Sequence, residues 1–144
     1  MAETFEIQIV TPSRLVIRDD VEEAVAPGAM GDFGVLPGHA PFMSAIRVGE
    51  IWTRKGSART TYVVANGWAE VSPGRMIVLV EGAEREGEID VDHAEEERRY
   101  AEELLAKNPE GPEAERAETL LEWADLRLTR AGVQRPTPGD TPTP

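Results

Sequence analysis

The side chains that could do chemistry are few. His39 and His93 are the only histidines, and there is no cysteine, so thiol catalysis, a disulfide framework and a thiolate metal site are excluded. Ser44, Ser57 and Ser72 have no recognisable His/Asp constellation around them. The acid pairs Asp19–Asp20 and Glu22–Glu23 have the residue type for general acid–base work. Their setting among turn and surface residues reads instead as solvated charge. Pro27-Gly28 and Pro73-Gly74 have no lysine–serine sequel, so no phosphate loop or dinucleotide fingerprint is present.

Charge narrows the partners. The net charge is -12, from 15 basic and 27 acidic residues. Residues 1–88 carry 8 basic and 13 acidic residues, and residues 89–144 carry 7 and 14. Both segments would be repelled by a phosphate backbone or an anionic lipid surface. The pattern therefore points to no nucleic-acid partner and no direct membrane insertion, and to basic protein partners. The longest wholly apolar run is Met76–Val80, against the ~20 residues a membrane helix needs. The N-terminus lacks a basic stretch followed by an apolar run and does not read as a signal peptide.

The positioning elements change type near Ile89. Phe5, Ile7 and Ile9 alternate with Glu6 and Gln8, the period of a half-buried strand. Leu15–Arg18 and Val21–Ala26 follow as strands, separated by a turn at Asp19–Asp20. Gly31–Phe42 reads as turn-rich. Phe42–Val48 and Glu50–Arg54 flank Gly49 as a hairpin-like pair. Thr60–Ala65, Trp68–Ser72 and Met76–Val80 are punctuated by Asn66-Gly67, a hairpin signal, and by Ser72-Pro73-Gly74. Regularly spaced short strands of this kind indicate a sandwich or barrel.

From Ile89 the composition turns to Ala, Glu, Leu and Arg. One helix is predicted over Val91–Lys107, N-capped by Asp90, with the stripe Val91, Ala94, Ala101, Leu104 and Leu105. Asn108-Pro109-Glu110-Gly111-Pro112 breaks it. Pro112 suits the first turn of a second helix that runs to Ala131 and stops at Gly132. Its stripe, Ala114, Ala117, Leu121, Ala124, Leu128 and Ala131, is narrow and small, suited to close helix contact. The expected architecture is a β-sandwich (1–88), an antiparallel two-helix hairpin (89–132) and a disordered Pro-rich tail (133–144). Trp52, Trp68 and Trp123 are left as core or interface residues; Trp123 lies off the stripe of the second helix, where it marks a partner-binding face or, as the preferred reading, packs on the sandwich.

The segment Gly31-Asp32-Phe33-Gly34-Val35-Leu36-Pro37-Gly38-His39-Ala40-Pro41 resembles the G-x-x-G-x-x-P-G-H-A-P stretch of F-type ATP synthase ε subunits. Val25-Ala26-Pro27-Gly28 before it, Asn66-Gly67-Trp68-Ala69-Glu70-Val71 after it and the Ile89-Asp90 opening of an Ala/Glu-rich helix match the family in order. The resemblance spans residues 5–131. It implies a non-catalytic central-stalk subunit that links the γ subunit to the polar loops of the c ring, peripheral on the cytoplasmic face of the bacterial inner membrane. It places Met30, Gly31 and Asp32 at the ring contact and Thr11, His39 and Ser44 near γ.

The same resemblance implies a mobile hairpin that can extend into the α/β catalytic head and restrain ATP hydrolysis. The family's inhibitory contact is basic, and the second helix offers Arg116, Arg127 and Arg130 among many acids. Some bacterial members bind ATP through [IL]-D-x-x-R-A. Here Ile89, Asp90 and Ala94 match, and Glu84 matches an acidic position upstream, which makes these four a candidate regulatory ATP site. His93 stands where the arginine belongs, and an arginine's charged fork is not freely exchanged at a phosphate. Tyr100 stands where a later arginine is expected. Two other classes compete with this reading: a free-standing β-sandwich adaptor with a helical tail, and a small hydrolase or isomerase using an acid pair. Turnover by the isolated chain would favour the last. A calorimetric titration with ATP checks the nucleotide site: saturable heat at millimolar ATP would support it, and no heat would remove it.

Overall fold

Phe5, Ile7 and Ile9 are all buried and alternate with half-buried neighbours along β1 (Phe5–Val10). The computed structural model describes residues 2–133, and the chain divides into two compact units between Ile89 and Asp90. In the first unit β1 is followed by β2 (Leu15–Val21), β3 (Glu23–Gly28), β4 (Gly31–Val35), β5 (Phe42–Ile46), β6 (Gly49–Lys55), β7 (Ala58–Val64), β8 (Gly67–Ser72), β9 (Arg75–Val80) and β10 (Ala83–Arg85). They form one continuous sheet in the order β10-β7-β6-β3-β5-β8-β9-β1-β2, with β4 on β3. All neighbours are antiparallel except β1 and β9, which are parallel.

The sheet doubles over at β3. Its first half pairs with β6 through Glu23–Val25, whereas its end meets β5 only through Gly28 and Ile46. A second seam joins Glu22 N–H to the Arg54 carbonyl at 2.8 Å. Between the layers lies one core in which Ile7, Ile9, Met76 and Val78 meet Ile51, Tyr62 and Val64. Burial pushes the Tyr62 phenol up. This is the β-sandwich expected from the strand spacing.

Four local expectations are overturned. Asp19–Asp20 is not a turn: both lie inside β2, facing Ile7 and Glu6 of β1, and Lys55 Nζ holds Asp19 at 2.8 Å. Gly31–Val35, inside the segment read as turns, is a strand paired to β3 in which Gly34 faces Val25. Phe42–Val48 and Glu50–Arg54 do not pair with each other, because β5 goes to β8 and β6 goes to β7. Asn66-Gly67 likewise does not close a hairpin but carries the chain from β7, which pairs with β6 and β10, to β8, which pairs with β5 and β9. The glycine has a different use there. A Cβ on Gly67 would run into the Leu79 carbonyl oxygen and lie 2.7 Å from Val80 Cα. Ser72-Pro73-Gly74 does join the antiparallel β8 and β9, with Gly74 at φ 81°.

The second unit holds α1 (Val91–Lys107) and α2 (Pro112–Arg130), packed on one another. Asp90 caps α1, its side chain accepting from His93 N–H at 3.1 Å. α2 ends one residue before the expected Ala131, which becomes its C-cap; Gly132 follows at φ 83°. Ala94, Ala101, Ala117 and Ala124 are fully buried, so small side chains set the approach of the two backbones. Leu121 is only half-buried, while Trp123 and Arg127 are buried instead. Of the tail expected over 133–144, residues 134–144 lie outside the described residues.

The contact at Gly67 sets a test of the sheet. Gly67→Ala is expected to lower stability by roughly 1–3 kcal/mol in urea unfolding, the usual cost of overpacking. Gly87→Ala, where nothing lies within 4 Å of the added carbon, is expected to stay within about 0.5 kcal/mol.

Candidate functional site

The acid pairs do not build a catalytic centre. Arg54 binds Glu22 at 2.8 Å and Glu23 at 3.1 Å, pinning both carboxylates to β6. The Glu23 and Glu22 carboxylates in turn push the Arg54 guanidinium up. Glu6 accepts from Gln8 and pairs with Arg18 and Arg75, and the Gln8 hydrogen bond and the Arg18 guanidinium hold it below the usual carboxylate range. Among the described residues no cluster of His, Asp and Glu has metal-binding geometry. No described helix is long and apolar enough to cross a membrane.

What the sandwich does present is an apolar row across its outer face. Ala45 of β5 faces Trp68 of β8, Trp68 faces Leu79 of β9, Leu79 faces Val10 of β1, and Val10 faces Leu15 of β2. Trp68 is 58% exposed, Leu79 55% and Leu15 52%. Met43, two residues along β5 from Ala45 and on the same face, is 65% exposed. The alternation explains the row: Ala69, Val71, Met76, Val78, Ile7 and Ile9 fill the core, so their immediate neighbours must point outward. Four strand spacings span roughly 19 Å, the width of an ordinary protein contact and not of a small-molecule cleft.

Four of the six predicted partner-binding positions flank this row. Thr11 follows Val10 directly, in a turn closed by paired hydrogen bonds with Arg14 at 2.9 and 3.3 Å. At the other end Ala29 N–H bonds the Ala45 carbonyl at 2.9 Å, which anchors the β3–β4 tip carrying Met30, Gly31 and Asp32. Met30 is 99% exposed. Gly31 has φ 128°, a conformation few side-chain-bearing residues adopt. Asp32 pairs with Arg47 at 2.6 Å, both exposed.

The other two lie apart. His39 belongs to the loop before β5, at the opposite end of that strand from Ala45, where its Nδ1 lies 2.6 Å from the Ala40 carbonyl and its ring stands edge-on to Phe42. Ser44 shares the inward phase of β5 with its buried cross-strand partner Ala69 and is itself half-buried, its hydroxyl donating to the Ala45 carbonyl at 2.9 Å. From the sequence Trp68 was left as a core or interface residue, and Leu79, Val10, Leu15 and Met43 were given no part in a contact. The signal was available: Trp68 stands in the polar phase of a strand whose other phase is Ala69 and Val71.

The candidate nucleotide residues are divided between the units. Glu84 lies in β10 opposite Val63, and Ile89 ends the first unit. Asp90 and Ala94 belong to the second, where Asp90 caps α1 and Ala94 is fully buried. Arg127, expected among the outward basic residues of α2, is instead only 3% exposed. Its Nη1 donates to Glu97 Oε1 at 3.1 Å and its Nη2 to the Asp90 carbonyl at 3.4 Å. His93 Nδ1 lies 3.1 Å from that Nη2 and 3.0 Å from Glu97 Oε1.

Comparison with known proteins decides the family. The sequence model described as "ATP synthase, Delta/Epsilon chain, beta-sandwich domain" matches residues 4–86. The chain belongs to the ATP synthase delta/epsilon family. The ATP synthase epsilon chain of Syntrophobacter fumaroxidans is 42% identical over 128 residues, covering 89% of this chain and 96% of that one. The epsilon chain of Geotalea daltonii is 41% identical, covering 92% and 96%. A chain in the OSCP/F1/c-ring structure of the Euglena gracilis mitochondrial ATP synthase superposes with a TM-score of 0.66 at 19% identity, covering 88% of this chain and 81% of that one. That likeness concerns the fold. Membership in this ATP synthase family makes the chain a non-catalytic stalk subunit.

Proposed function

We propose that this chain couples the shaft of a proton-translocating F-type ATP synthase to its membrane ring. The outer row Trp68, Leu79, Val10 and Leu15, with Met43 beside it, receives the γ subunit. The neighbouring Met30–Gly31–Asp32 tip meets the polar loops of the c ring. Thr11 lies at the edge of the γ contact, and His39 and Ser44 support its border from the loop and strand around Phe42. The observation that carries this reading is the row itself: three large apolar side chains, each more than half exposed, aligned across adjacent strands. Clustered exposed apolar surface of this kind marks a protein contact. The epsilon-chain relatives support the choice of partner.

The hairpin serves regulation. In this reading it extends into the α/β catalytic head and restrains ATP hydrolysis, with Arg116 and Arg130 as its accessible cations. Glu84, Ile89, Asp90 and Ala94 remain the places where ATP would act on it. The chain sits on the cytoplasmic face of the bacterial inner membrane, peripheral, held there by the rotor.

Reconstitution with a γ-containing catalytic head tests both parts. Trp68→Asp with Leu79→Asp is expected to weaken binding on the order of a hundredfold or more, as when anchor residues of an interface are lost, with the fold intact by circular dichroism. Removing residues 89–144 is expected to leave binding unchanged and to raise the ATP hydrolysis rate. Full binding by the double variant would refute the docking face, and an unchanged hydrolysis rate would refute the inhibitory role.

A further inference from the structure

Met30 and Asp32 do not stand alone at the β3–β4 tip. Arg47, in the turn between β5 and β6, reaches Asp32 over a sequence distance of 15 residues, its Nη2 donating to Asp32 Oδ1 at 2.6 Å. The backbone fixes where that guanidinium starts. Pro27 faces Asp32 across β3 and β4, and the Pro27 carbonyl accepts the Arg47 N–H at 2.9 Å. Asp32, Pro27 and Arg47 therefore stand side by side, and the ion pair spans the buried Pro27. Gly49 leaves room for this arrangement: a Cβ there would lie 2.8 Å from Pro27 Cβ and 3.4 Å from Arg47 Nη1.

Folding gains little from the pair, because both side chains are more than half exposed and water screens them. What the pair fixes is a pattern of hydrogen-bonding groups beside the exposed Met30. The guanidinium carries five N–H donors. Among the described residues it gives them to Asp32 and, at 3.5 Å, to the Val48 carbonyl. Asp32 is held through Oδ1, which leaves Oδ2 to accept from elsewhere. The tip thus offers donors and an acceptor together, with their charges matched, next to an apolar side chain. A lone basic side chain would have to displace Arg47 to reach Asp32. A polar turn that brings a backbone N–H and a C=O fits both groups at once.

We propose, given that the tip meets the c ring, that Arg47 is a further ring-contact residue and works with Asp32 as one unit. Asp32 accepts a hydrogen bond from the ring's polar loop, and Arg47 donates one to it. Met30 covers the contact on its apolar side.

Oxidation of Met30 by hydroxyl radicals tests this, since Met30 is 99% exposed in the free chain. The chain is bound to a γ-containing head and titrated with detergent-solubilised c ring, and Met30 of the wild type is expected to become protected. Arg47→Gln and Asp32→Asn are each expected to raise the ring concentration for half-protection about tenfold, the scale of one lost anchor contact. The two together are expected to raise it no more than either alone, as for residues that act as a unit. Arg47→Lys keeps the charge without the planar fork and is expected to fall between. Asp32→Arg with Arg47→Asp keeps an ion pair but exchanges donor and acceptor, and is expected to hold the ring as poorly as Arg47→Gln. Affinity for the γ-containing head alone is expected to stay unchanged throughout. Wild-type half-protection in Arg47→Gln, additive losses in the double variant, or full recovery in the reversed pair would each overturn the role of Arg47. Wild-type Met30 that stays as reactive with the ring as without it would overturn the ring contact itself, and this assignment with it.

Discussion

The strict two-sidedness of the β-strand governs the functional surface. The inward phase of β1, β8 and β9 is occupied by Ile7, Ile9, Ala69, Val71, Met76 and Val78, all inside the core. With that phase filled, Val10, Trp68 and Leu79 have no inward position, and the pairing register lines them up across three strands. A shift of one residue in β8 would bury Trp68 and expose Ala69 and Val71. Gly67 guards that register, since its missing side chain lets the start of β8 sit against Leu79 and Val80.

Much of the architecture was legible. The β1 alternation, the limits of α1, the Asp90 cap and the helix-starting Pro112 are short-range signals written in adjacent residues, and they appear as read. What failed was long-range. Gly49 and Asn66-Gly67 sit between β-prone runs that look like hairpins, yet the strands on either side go to different partners. Local turn chemistry says that the chain changes direction and says nothing of which strand it joins. β4 was hidden by its glycines, and β10 by having only three residues. Asp19 and Asp20 looked like a turn because aspartate so often makes one; cross-strand pairing to β1 and the ion pair from Lys55 hold them extended.

The candidate sites divide the same way. The exposed tip at Met30–Asp32 was placed by the resemblance alone, because β4 itself read as turns. The apolar row was not placed at all, because it joins residues from five strands and exists only once the order of the sheet is known. Arg127 is a related case. On a helical wheel it is one cation among many charges, and only the partner helix reveals that it faces inward and meets Glu97. The outward cations of α2 are thereby reduced, in a hairpin already rich in acid.

The docking face is tested most directly by hydroxyl-radical footprinting of the chain, free and bound to a γ-containing head, because exposed Met43 and Trp68 are readily oxidised when free. Strong protection of both on binding, with little change at Tyr100 of α1, is the result this account requires. Binding that leaves Met43 and Trp68 as reactive as in the free chain would contradict it.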